Sequence, residues 1–153
     1  MGVNPQINFF NIQENKMEKQ LVLNRIQTPD GTILTSYHTH DYKTHEDLNG
    51  KTYGVDGGTS YLRRIGDIED CIELSLYDTD DFKIIRENFS RLNQGIDGRS
   101  KPVPVILKDM DNEWLDAVIV WYEDRGIFRG QNPVIDLYFI EKDFRKFGNS
   151  KNK

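Results

Sequence analysis

Three turn signals lying close together limit what this chain can fold into more than any other feature. Thr28-Pro29-Asp30-Gly31 places a proline where φ must be fixed and a glycine where φ turns positive, and Asn49-Gly50 and Asp56-Gly57-Gly58 repeat that chemistry. The runs between them are short and partly alternating, as strands of a half-buried antiparallel sheet are. Strands are expected over residues 20–27, 32–40, 51–55 and 60–65, in a compact β-meander. All three histidines and the Arg63-Arg64 pair fall inside residues 28–64.

Beyond the meander the period changes. Residues 71–77 read as one more strand or an extended link. Asp78-Thr79-Asp80-Asp81 then offers caps and first-turn acid for a helix whose apolar residues Phe82, Ile85, Phe89 and Leu92 recur at three and four, ending near Gly95. Residues 94–99 form a polar loop with glycines, able to offer backbone N–H groups to a phosphate but without the spacing of a Walker loop or a dinucleotide fingerprint. Residues 102–107 are extended, with prolines that suit an edge.

Asp109 or Asp111 caps a helix to about residue 124 that is apolar nearly all round, and Asn132-Pro133 opens a last helix carrying Ile135, Tyr138, Phe139, Phe144 and Phe147 up to Gly148. The fold class is therefore α+β: an N-terminal antiparallel β-meander, a middle helix and a C-terminal antiparallel helix pair. One domain is expected over residues 1–153, with an extension at 1–18 whose Phe9-Phe10 docks on a neighbour, a mainly β part at 19–77, a mainly α part at 78–148 and a loose tail at 149–153. The aromatic helix pair reads as the seam of a homo-oligomer.

A formal charge of −5 argues against a protein built to coat a DNA or RNA polymer, which needs clustered cations. A small anion is another matter, because the arginines are grouped: Arg63 with Arg64, Arg86 with Arg91, Arg99 with Lys101, Arg125 with Arg129. The single cysteine, Cys71, excludes an internal disulfide and a cysteine-rich zinc site, and it fits a reducing compartment. No window approaches a membrane span and the start lacks a secretory pattern, so a soluble cytoplasmic protein is expected.

His38 and His40 are two apart, so on a strand both imidazoles share a face, and His45 with Asp41 or Glu46 would complete a metal site. That is the enzyme reading, a metal-dependent phosphoesterase. Asp41 directly follows His40, however, and no later histidine completes a metallo-hydrolase set. The competing readings hold these histidines half-buried and hydrogen-bonded in the sheet, or donating with Ser36 to the phosphate oxygens of a ligand that is not cleaved. No nucleophile elbow is visible. Arg63 and Arg64 end a strand on opposite faces, and Phe89, Arg99 and Arg129 supply an aromatic face and guanidinium forks of the kind nucleotide pockets need.

Thr28-Pro29-Asp30-Gly31-Thr32, Ser36-x-His38-x-His40-Asp41-Tyr42 and Asp56-Gly57-Gly58-x-x-Tyr61-Leu62-Arg63-Arg64, continuing through Asp80-Asp81, Ile85-Arg86-Glu87, Phe89, Asp97-Gly98 and Leu107-Lys108-Asp109-Met110, carry a resemblance over about residues 20–115. Together they resemble a family of small phage proteins, identified as the anti-Thoeris sponges. Members of that family look like an antiparallel sheet followed by two long helices and sequester cyclic ADP-ribose-type signals without cleaving them. Some also hold cyclic oligonucleotides at separate sites in a hexamer. The resemblance implies a cytoplasmic anti-defence protein of an infected bacterium, a dimer or hexamer with no cofactor and no metal. It places Arg63, Arg64, Phe89, Arg99 and Arg129 at the ADP-ribose pocket, with Ser36, His38 and His40 at a second nucleotide site. A third class, a protein-binding module acting through residues 114–122, has no motif in its favour.

Overall fold

The computed structural model describes residues 18–93 and 101–148. The expected N-terminal extension with Phe9-Phe10, the loop over 94–99 with Gly95 and Arg99, and the tail at 149–153 lie outside the described residues. The architecture is α+β, antiparallel throughout its sheets. β1 (Leu21–Gln27) pairs with β2 (Ile33–Ser36) through the Thr28–Gly31 turn. A separate three-stranded sheet follows: β3 (Lys43–Glu46), β4 (Thr52–Asp56) and β5 (Arg63–Gly66). The chain then returns to the free edge of β1 as β6 (Ile72–Glu73) and β7 (Leu76–Tyr77).

The expected meander thus breaks in two, and the strand expected over residues 32–40 stops at Ser36. The cause is local. The Asp41 carboxylate accepts from the Tyr37 N–H (2.7 Å), the Ser36 hydroxyl donates to the Asp41 carbonyl (2.6 Å), and Asp41 N–H donates to the His38 carbonyl (2.9 Å). These bonds close a loop that competes with the ladder, and His40 sits in it at φ 66°. β3 was not expected: its sequence Lys-Thr-His-Glu has no apolar residue to mark a face, and only its pairing with β4 makes it a strand.

The middle helix is also shorter than its period suggests. α1 (Phe82–Asn88), capped by the Asp81 carboxylate on Lys83 N–H, ends where Phe89 turns extended. Ser90–Asn93 then forms β8, paired with β9 (Val103–Ile106). Pairing with the extended, proline-bearing segment overrides the helical period, and Leu92, placed on the helix stripe by spacing, is left 36% exposed. α2 (Asn112–Glu123) is capped by Asp111 on Trp114 N–H, and α3 (Pro133–Asp143) by Asn132 on Val134 N–H, with Pro133 at the first helical position. Lys142 and Arg145 beyond the middle of α3 meet Asp116 and Asn112 at the start of α2 (2.5 and 2.8 Å), so the two helices run antiparallel.

The larger core joins Val22, Leu23 and Leu76 of the first sheet to Ile85, Phe89, Leu107, Met110, Leu115, Val118, Ile119, Leu137 and Tyr138. A smaller one, Ile26, Leu34, Tyr53 and Val55, lies between the two sheets. β1 contributes to both. Among the described residues no helix is long and apolar enough to cross a membrane.

Candidate functional site

Two of the residues that the sequence nominated, Ser36 and Arg64, help to hold the two sheets together. Asn24, fully buried on β1, donates its amide to the carbonyls of Asp56 (2.9 Å), Gly58 (3.1 Å) and Tyr61 (3.3 Å), and its oxygen accepts from Arg64 Nη1 (2.7 Å). Ser36, 1% exposed, accepts from Gly58 N–H (2.9 Å) while donating to Asp41. Arg64 also grips the Glu73 carboxylate and the Ser75 hydroxyl. Ser36 and Arg64 are therefore satisfied within the fold and have little left to give a ligand.

Glu73 registers this grip in its ionisation. Burial pushes its pKa up, but hydrogen bonds from Arg64 and Ser75 outweigh it and hold the group below the usual carboxylate range. A depressed folded pKa gives stability that is present above the unfolded value and is lost as pH falls through the folded one. Acid titration of unfolding midpoints from pH 7 to below pH 4 should show a smaller loss for Glu73→Gln than for the wild type. Parallel curves would mean that this pair contributes nothing to acid stability.

The three histidines are separated into three local roles. His45 Nε2 meets the Asp30 carboxylate (2.8 Å) and Thr32 hydroxyl (3.2 Å) across the first turn, and its ring stacks on Tyr53. His40 Nδ1 faces the Tyr61 hydroxyl (3.2 Å), and His38 Nδ1 lies by its neighbour's carbonyl, Thr39 O (3.1 Å). The expected shared face is lost because residues 38 and 40 are in the loop rather than on a strand. No group of three or more His, Cys, Asp or Glu side chains among the described residues could hold a metal ion.

Of the remaining nominees, Arg63 is exposed and lies 3.7 Å from Asp56. Arg129 pairs with Asp143 (3.2 Å) and covers the Phe139 ring, in the α2–α3 connection. Phe89 is 4% exposed, its ring edge-on to Tyr138, so it packs the core and shows a ligand only its rim. Arg99 lies outside the described residues.

What the tertiary structure does form is a cleft of about 290 Å³ between the His38 loop, the start of β8 and the ends of α2 and α3. Its floor is apolar, from Val22, Leu23, Phe89 and Val134, and its rim carries His38, Thr59, Tyr122 and Arg91. Three nominees, Ser36 and His38 from one expected site and Phe89 from the other, therefore line one cavity. Arg91 was named only as one of the grouped arginines and was placed at neither expected site. Its guanidinium lies over the rings of Trp121 (5.4 Å) and Tyr122 (5.9 Å), and no carboxylate among the described residues pairs with it. Tyr37 and Ser90, also on the lining, share a hydroxyl hydrogen bond of 2.8 Å. Beneath this wall Tyr138 is fully buried, and burial pushes the pKa of its hydroxyl up despite the nearby Arg91.

Sequence could have signalled Arg91 only through the strand it sits on, because as a helix residue it would have faced elsewhere. The arrangement offers groups for binding: a cation held on aromatic rings, hydroxyls and an imidazole around an apolar floor. Comparison of the chain with protein-family models, with curated proteins and with solved structures finds no match.

Proposed function

We propose that this chain is a non-enzymatic binding protein that captures a cyclic ADP-ribose-type nucleotide signal, acting as a phage anti-defence sponge in the cytoplasm of an infected bacterium. The observation that carries the reading is Arg91, unpaired by any described carboxylate and spread over two aromatic rings at the mouth of an apolar-floored cleft. A guanidinium so placed offers a fork to phosphate oxygens, and a base has the Tyr122 edge and the apolar floor to lie against. His38 and Thr59 add donors on the opposite rim. A homo-oligomer, dimer or hexamer, belongs to the same reading, with the exposed Val120 and Trp121 of α2 as its seam.

The test is capture and release. The purified chain is mixed with an enzymatically made cyclic ADP-ribose isomer, freed of unbound ligand, then heat-denatured and its supernatant chromatographed. Intact cyclic signal is expected. Linear fragments would instead make the protein a hydrolase, and an empty supernatant would remove the nucleotide reading. Arg91→Ala should weaken capture at least tenfold, about 1.4 kcal/mol, with the melting temperature nearly unchanged. Arg64→Ala makes a poor binding probe, because it strips Asn24 and Glu73 of their partner and loosens the fold.

A further inference from the structure

A second cavity adjoins the cleft. Thr59 and Val134 also line a second trough of about 450 Å³, whose wall includes Lys19, Ser60, Tyr77 and Asn132. Sites for whole ligands span roughly 300–1,000 Å³, so the cleft alone sits at the bottom of that range. The two cavities together fall well inside it.

Building on the nucleotide reading above, we propose that this trough is the anion subsite of the same site, with Lys19 as its cation. It receives the outer phosphate of a nucleoside diphosphate-type ligand whose base and inner phosphate lie in the cleft beside Arg91. Arg91 and Lys19 are the arginine and lysine side chains on the two linings, one in each cavity. Lys43, Arg63, Arg64, Arg86, Arg129, Lys142 and Arg145 each have a carboxylate partner in the fold. Lys19 has none among the described residues; its ammonium rests 4.3 Å from the centre of the Tyr77 ring, which lines the trough.

Two carboxylates on the adjoining stretch are already engaged, Asp78 by Gln20 N–H (2.8 Å) and Asp80 by Tyr77 N–H (2.9 Å). Neither forms an ion pair with the Lys19 ammonium. An ammonium is a compact point charge whose three donors rotate to meet phosphate oxygens, and Thr59 and Ser60 line the same trough, the Ser60 hydroxyl bonded to that of Thr39. The joint at Thr59 and Val134 sets the order of the ligand: apolar floor for the base, then the hydroxyl-bearing passage, then the cation.

The experiment is isothermal titration of the full chain with adenosine and with ADP, for wild type, Lys19→Met and Lys19→Arg, at low and moderate salt. Wild type should bind ADP at least tenfold more tightly than adenosine, with the difference shrinking as salt rises. Lys19→Met should lose much of that gain and keep its affinity for adenosine; Lys19→Arg should retain most of it. A wild type that binds adenosine and ADP equally, or a Lys19→Met variant with undiminished ADP preference, overturns the trough subsite alone. A wild type that binds neither overturns the subsite, while the nucleotide reading stands or falls on the capture of the cyclic ADP-ribose isomer.

Discussion

Glu141→Ala should lower the unfolding free energy by about 3–5 kcal/mol, the usual cost of removing one member of a buried ion pair. The carboxylate is fully buried on α3. Arg86 from α1 holds it with two parallel bonds, Nε to Oε1 and Nη2 to Oε2, both 2.8 Å, and Arg145 Nε adds a third at 2.6 Å. Arg145 also donates to Asn112 Oδ1 (2.8 Å) and to the carbonyls of Leu107 (3.1 Å) and Met110 (2.6 Å). One carboxylate thus ties α1, α3 and the loop entering α2. Its hydrogen bonds raise the pKa of Arg86 above an arginine's ordinary value.

Without it, two half-buried guanidiniums face each other with no anion between them. A melting temperature lowered by roughly 10 °C is expected for a chain of this size. Glu141→Gln keeps the volume and some of the bonds and should lie between. A Glu141→Ala protein melting within 2 °C of wild type would show that the pair's attraction barely exceeds its desolvation.

Gly58→Ala should be nearly as damaging, for a steric reason. Gly58 has φ 52°, and a Cβ there would stand 2.4 Å from the backbone carbon of His38, 2.5 Å from its Cα and 2.8 Å from its nitrogen. Backbone cannot swing aside as a flexible side chain can, so the His38 loop must move off the second sheet. That move breaks the Gly58 N–H bond to Ser36 and the Asn24 bond to the Gly58 carbonyl. The left-handed conformation costs an alanine roughly 1–2 kcal/mol and the overpacking about 1–3 more.

Gly31→Ala is the control. Its φ is 93°, but a Cβ there meets nothing within 4 Å, so only the backbone strain should appear, about 1 kcal/mol. Chemical denaturation separates the two; equal midpoints would show that the close approach at His38 relaxes without cost. Because His38 lines the cleft, Gly58→Ala should also lose ligand capture, and Gly31→Ala should keep it.

The elements that were legible in the sequence are those whose signal is local. Thr28-Pro29-Asp30-Gly31 makes its turn from its own φ preferences, and the caps at Asp81, Asp111 and Asn132 sit where a short acceptor precedes an apolar run. The Ser36, His38 and Arg64 positions stood out for their chemistry, which pointed to a site. In the fold, Ser36 and Arg64 serve as fasteners between sheets; an isolated polar residue looks the same in sequence whether it awaits a ligand or a neighbouring backbone carbonyl.

The cleft was illegible for a different reason. It is assembled from residues 22–23, 36–38, 59, 89–92, 122 and 134, which no periodicity connects. Arg91 reaches its rim only because β9 draws residues 90–93 out of the helical period into a hairpin. By itself the sequence determined where this chain turns, where its two longer helices begin and that its sheets are antiparallel, since proline, glycine and capping side chains act within a few residues of themselves. Only the tertiary structure decided that the meander splits at the His38 loop, that β8 forms and that Arg91 and Lys19 line joined cavities, because those outcomes depend on contacts between residues far apart in the chain.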